Sequence, residues 1–297
     1  MRAATLLAAA ALALALGGSA AAANPAPAAS DPVTTVEEVT VTASNPATIS
    51  EFIRDVTEES RNGRVARWNH TICPATVGLE HRYAEYLNER LSSVAREVGL
   101  KVAKPGCRPD ILIIVTPDVK AVLEEMERTH KAVFAEHRWS DERTSAGGSQ
   151  SFEAFLQSEK PVRWWHVSET VAADGQPIGN GVTMRASGSR LRDTVREDFA
   201  VVIVVVDVNR AKGVTYQALS DYLAMVALAQ LNPDVNSSQV PTVLNIFSDL
   251  EAGRVPAPGL TDWDLRFLKS LYAMRPDTPA RSQRGRIVRG VEEHRAN

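Results

Sequence analysis

Two apolar runs constrain this chain more than any other feature. Ile111-Leu112-Ile113-Ile114-Val115 is continuous and rich in β-branched side chains, and Phe199 to Val206 runs eight residues without a polar one. Successive strand residues face opposite sides, so a run without polar alternation reads as a strand buried on both. Both runs have the length of strands, not of helices. Something must cover them, and the sequence supplies amphipathic stretches. Ile49, Phe52, Ile53 and Val56 recur at helical spacing behind Ser50. Tyr83, Leu87, Leu91, Val94 and Val98 share one face of a helix predicted over His81–Val98, stopped by Gly99. Val119, Val122, Leu123, Met126, Val133 and Phe134 make the next. Val214 to Leu231, behind Gly213, is apolar nearly all round and is therefore expected at the centre. Thr261-Asp262-Trp263-Asp264 is a capping-box variant opening a last helix, with Trp263, Phe267, Leu268, Leu271 and Met274 facing inward. The pattern predicts an α/β or α+β layered fold with at least two buried strands packed by amphipathic helices.

With 297 residues, 44% of them hydrophobic, the chain can form one large domain or two small ones. A net charge of -3 with two Cys excludes a strongly basic nucleic-acid binder and a disulfide-dense miniprotein. No nucleic-acid partner is expected.

The N-terminus reads as an export signal. Met1-Arg2 precedes an apolar run from Ala3 to Leu16, then Gly17-Gly18-Ser19 and alanines, so residues 1–23 are expected to be a signal peptide. The run is too short and Ala-rich for a membrane span, and no transmembrane segment is expected in the mature chain. No Cys follows the expected cleavage site, which argues against a lipid anchor. Residues 24–47 read as a disordered linker rich in Ala, Pro, Ser and Thr. Within it, Val36-Glu37-Glu38-Val39-Thr40-Val41-Thr42-Ala43 resembles a TonB box, a segment that pairs with an envelope protein by strand addition. A plain β-prone linker is the alternative. Residues 48–274 form the expected globular domain, with a split near 140–150 as the alternative. Residues 275–297 carry six Arg against three acidic residues and little apolar content, so a disordered basic tail is expected.

Cys73 and Cys107 both sit in turn contexts, Ile72-Cys73-Pro74 and Gly106-Cys107-Arg108-Pro109. In an oxidising compartment they are expected to form a disulfide, worth about 3 to 4 kcal/mol in the chain-entropy model. A reactive thiol beside His70 and a metal site are the alternatives; no Cys-x-x-Cys spacing supports the latter.

No phosphate loop, Gly-x-Ser-x-Gly elbow, dinucleotide fingerprint or Ser-x-x-Lys is present. No cofactor is expected. His130 and His137, two helical turns apart, would seed a metal site if another element gave a third ligand; a solvated charged face is the alternative. His70 and His166 are flanked by Trp and Arg, which suits a groove for a peptide or sugar, or a wet edge of the core. Asp221 is a carboxylate on an otherwise apolar helix, so burial would favour its acid form. Its structural alternative is a bond to a strand-end amide or a pairing with an Arg.

Arg67-Trp68-Asn69, Ile72-Cys73-Pro74, Val77-Gly78-Leu79 and Gly106-Cys107-Arg108-Pro109 with the apolar strand after it, together with Pro161-Val162-Arg163-Trp164, Leu219 to Gln230 and Gly259 to Asp264, resemble a family of exported alphaproteobacterial proteins. That family has no established activity to carry over. The order of strand, central helix, Asn245 to Asp249 and final helix is also similar to zincin metallopeptidases. Their His-Glu-x-x-His would fall on Ser220, Asp221 and Ala224, two ligands short, which implies an inactive relative kept for binding. The function expected is therefore a non-catalytic periplasmic or secreted protein that binds an envelope component or protein partner. A hydrolase built around Asp221 with His70 or His166 is the alternative, and it requires Asp221 and a His in one pocket.

Overall fold

A computed structural model describes residues 46–60, 63–134, 144–148, 150–178, 191–235 and 237–293. The expected signal peptide (residues 1–23), the expected linker up to residue 45 with its TonB-box-like segment Val36–Ala43, and His137 lie outside the described residues.

The two apolar runs are neighbours in one sheet. Ile111–Thr116 is β2 and Val195–Asp207 is β5, paired parallel with Ile111 opposite Val202. Pro74–Val77 (β1) flanks β2 in parallel, while Val162–Ala172 (β4) and Thr144–Ala146 (β3) extend the other side antiparallel. The order is β1-β2-β5-β4-β3. One irregularity in the β4–β5 register falls between Val167 and Ser168.

Both faces of the sheet are covered, as strands without polar alternation require. On the larger face pack α1 (Pro46–Val56), α2 (His81–Glu97), α6 (Tyr216–Leu228), α8 (Asp262–Ala273) and α9 (Ala280–Glu293). On the smaller lie α3 (Val119–Thr129), α4 (Lys131–Phe134) and α5 (Phe152–Gln157). Alternate residues of β5 divide between the two cores: Val202, Val204 and Val206 enter the larger, Ile203 and Val205 the smaller. A short helix, α7 (Ile246–Glu251), follows a 3-10 turn at Val243–Asn245. The layered class and its helix-packed strands are as the sequence predicts.

Local signals also hold. Gly99 follows α2 in the left-handed region at φ 89°, and α6 is buried along nearly its whole length. Thr261 and Asp264 form a reciprocal capping box at α8. The Asp264 carboxylate is wholly buried and also accepts from Thr242 Oγ1 at 2.5 Å and Val243 N at 2.9 Å, fastening the 3-10 turn to this helix.

Several expectations need correction. Residues 275–297 are not a disordered tail through their described part. Gln283, Ile287 and Val291, one turn apart, are the buried stripe of α9, and Gln283 accepts from Val65 N at 2.8 Å. Gly290 lets α9 approach α8 so closely that a Cβ there would lie 2.5 Å from Ser270 Oγ. The sparse stripe was masked by the arginines around it. Helix α1 starts at Pro46, two residues inside the expected linker, with proline in the first turn where its missing N–H costs nothing. The single helix expected over 119–134 breaks at His130 into α3 and α4. Trp164, Trp165 and His166 form neither a groove nor a wet edge: they lie mid-strand in β4, all buried.

Candidate functional site

The helices following β1 and β5, α2 and α6, pack on the larger face, while α3, which follows β2, packs on the smaller. Connections that leave neighbouring parallel strands toward opposite faces cannot close over the strand ends, so a crevice opens at their carboxyl edge. A cleft of about 220 Å³ lies there. Val115 of β2 and Val206 of β5 line it, with Leu79, Val208, Val214, Tyr216 and Leu219 completing apolar walls. Gly78 makes the geometry possible. It takes φ 87°, and a Cβ there would fall 1.9 Å from the Val115 carbonyl oxygen, so only glycine lets the chain leave β1 across the end of β2.

The rim is held by local bonds. Asn209 Nδ2 donates to the Pro117 carbonyl at 3.1 Å, tying the loop after β5 to the end of β2. Asp207 accepts from Asn209 N at 2.9 Å and lies 3.6 Å from Arg210 Nε. Asp118 caps α3 by accepting from Ala121 N at 3.1 Å, and Thr215 caps α6 by accepting from Ala218 N at 3.2 Å. Tyr216 stacks on Tyr83 at 4.8 Å between centroids, and the Arg82 guanidinium lies 4.5 Å from the Tyr83 ring centre. Lys212 also lines the cleft.

Asp221 lies elsewhere on α6, fully buried. It accepts from Arg90 Nε at 2.5 Å and Nη2 at 3.0 Å, and from Leu260 N at 2.9 Å. Gly259 has no room for a Cβ, which would sit 2.4 Å from Asp221 Oδ2. The carboxylate joins α2, α6 and the 259–260 turn: the pairing with an Arg is as anticipated, while the amide it accepts from lies in a turn and not at a strand end.

His166 is buried beside Phe199, its Nε2 donating to the Val226 carbonyl at 2.8 Å. Burial depresses its pKa to about 4, so it is neutral at ordinary pH. His70 is half-exposed, with Nε2 3.5 Å from Asp110 Oδ2. The Asp110 carboxylate raises its pKa by hydrogen bonding, and that carboxylate also accepts from Cys73 N at 2.7 Å. Trp68 meets His70 at 5.3 Å and Phe199 at 5.2 Å, while Phe199 meets His166 at 5.1 Å between ring centres. The two histidines thus end an aromatic file that lies between them. Asp221, His70 and His166 line neither the carboxyl-edge cleft, the groove beside the disulfide nor the pocket by Tyr222.

Cys73 and Cys107 form the expected disulfide. His130 caps the exposed end of α3, its Nδ1 2.8 Å from Thr129 Oγ1. Among the described residues no group of three or more His, Cys, Asp or Glu could hold a metal ion.

Sequence reasoning missed the cleft and also Glu197. This buried carboxylate of β5 accepts from Ser168 Oγ at 2.7 Å and Thr170 Oγ1 at 2.8 Å, and burial raises its pKa. The groove beside the disulfide is larger, about 610 Å³, but it runs along the polar flank of α2 at Glu85, Asn88, Glu89 and Arg96. Its strand edge is blunted by Pro74, which has no N–H to offer a docking strand. The carboxyl-edge cleft therefore fits a ligand site better, with apolar walls and few polar groups.

No protein-family model, no curated protein and no solved structure matches this chain.

Proposed function

We propose that this chain is an exported binding protein whose ligand seats in the carboxyl-edge cleft, and that Asp221 fastens the fold instead of activating a substrate. The observation that carries the reading is an open apolar cleft at the point where helices leave the sheet on opposite faces. The occupied carboxylate of Asp221 supports its second half, because every bond it makes is to Arg90 or a backbone amide. The disulfide supports export, since such bonds persist in oxidising compartments. No helix among the described residues is long and apolar enough to cross a membrane. On this reading residues 1–23 are removed and the mature chain begins near Asn24.

Benzene tests the site, since an engineered apolar cavity of roughly 150 Å³ already admits it. Titrated into ¹⁵N-labelled mature protein, it is expected to shift the amides of Val115, Val206 and Gly213. Shifts confined to other regions would overturn the cleft as the site. A hydrolytic activity abolished by Asp221→Asn in a folded variant would instead favour the enzyme reading. N-terminal sequencing of the envelope fraction checks export, and a chain beginning at Met1 would contradict it.

A further inference from the structure

We propose that the cleft takes a small organic carboxylate with a compact apolar body, its acid group held at the rim by Lys212. The inference rests on the cleft being a ligand site and adds the chemistry of the ligand. Leu79, Val115, Val206 and Leu219 offer nothing polar but backbone, so the buried part of an occupant must be hydrocarbon. At about 220 Å³ the space accommodates a branched aliphatic group or a single ring, not a long chain.

The charge at the mouth selects the other end of the molecule. Lys212 is exposed, lines the cleft and has no ion-pair partner among the described residues. The acids on the same loop system are engaged: Asp207 with Asn209 N and Arg210, Asp118 with the first turn of α3, and Glu159 with Arg210 at 3.2 Å. An anion at the rim would therefore meet an uncompensated ammonium. The N-terminus of α6 opens at the same mouth, through Val214 and Tyr216, and adds positive partial charge. Among the described residues, four of the six large apolar side chains that stand exposed are Val77, Tyr86, Val208 and Tyr216. Two of them, Val208 and Tyr216, line the cleft itself, which fits a mouth that receives an amphipathic ligand.

The test compares three probes of one shape: benzoate, benzamide and benzylamine, titrated at pH 7 and fixed ionic strength into mature ¹⁵N-labelled protein. Benzoate is expected to bind at least tenfold tighter than either of the others, shifting the amides of Gly213 and Val214. Lys212→Met should weaken benzoate about tenfold and leave benzamide unchanged, while Lys212→Arg retains benzoate. Lys212 is exposed, so these variants fold. Equal binding of benzoate and benzamide, or no loss in Lys212→Met, would overturn the carboxylate and leave the cleft reading standing. If none of the probes moves the cleft amides, the cleft reading falls and this inference with it.

Discussion

The same strands build two cores of different character. On the smaller face the core is aromatic and aliphatic: Trp165 lies between Phe134, Phe152 and Phe155, with centroids 5.9, 6.0 and 5.4 Å from its own. The larger face hides polar groups among its apolar side chains, namely Asp221, Asp264, Glu197 and His166, every one buried. Each is held by partners distant in sequence, as buried polar groups must be. The difference follows from what has to be joined. Three short helices cover the small face; packing around Trp165 fits them, and the bonds that Trp165 Nε1 and Arg163 donate go to the carbonyls of Val133 and Leu156 in those helices. Five helices and an irregular segment meet on the large face, and hydrogen bonds fix where the loops between them go.

The comparison predicts where single changes hurt most. Trp165→Ala, at the hub of the small core, should cost about 3–5 kcal/mol in denaturant unfolding, since it empties the space that Phe134, Phe152 and Phe155 pack around. Reducing the Cys73–Cys107 bridge, whose partners are 34 residues apart, should cost about 4 kcal/mol. Thiol labelling in denaturant without reductant should find neither cysteine free. Leu223→Ala on α6 should cost about 2–5 kcal/mol, at the lower end if neighbouring Met225 fills the space.

The two faces should also part in their response to acid. His166 has its folded pKa depressed to about 4 from 6.5, so its contribution is present above pH 6.5 and lost as pH falls toward 4. That amounts to about 3 kcal/mol at most. Glu197 and Asp264 have raised pKa values from burial and act in the opposite sense, their contribution lost as pH rises. The clean observable is therefore the stability of wild type relative to His166→Gln, which should narrow on acidification from pH 7 to pH 4. Trp165→Phe should differ from wild type by the same amount at both values. A pH-independent His166→Gln difference would show that the buried imidazole is not held neutral.

What the sequence discloses tracks these same differences. β2 and β5 are legible because continuous apolar runs need no partner to identify them. α2 and the capping box of α8 are legible because their signals are local. β4 was not, because Arg163, His166, Ser168 and Thr170 interrupt its apolar pattern. Most of their polar atoms find partners on other elements: Arg163 Nη1 donates to the Leu156 carbonyl at 2.9 Å, His166 bonds that of Val226, and the two hydroxyls bond Glu197, while Arg163 Nε is buried without a partner among the described residues. The pairing of Asp221 with an Arg was legible as an alternative, but not which Arg, since Arg90 lies on another helix. The cleft was illegible for a topological reason. Leu79, Val115, Val206 and Lys212 come from three separate segments that meet only once strand order is known.

The central claim is that Asp221 supports the fold while ligand binding belongs to the carboxyl edge. Measuring benzene affinity in the Asp221→Asn variant, at a temperature where it remains folded, tests both halves together. Removing the carboxylate's charge should lower stability by about 2 kcal/mol, because the buried group loses its charge-assisted bonds to Arg90, while water reaches the 35% exposed guanidinium and offsets part of the loss. Affinity read from the Val115 and Gly213 amides should stay within twofold of wild type. Unchanged stability with lost binding would contradict the account, for it would place Asp221 in the ligand site and free it from the fold.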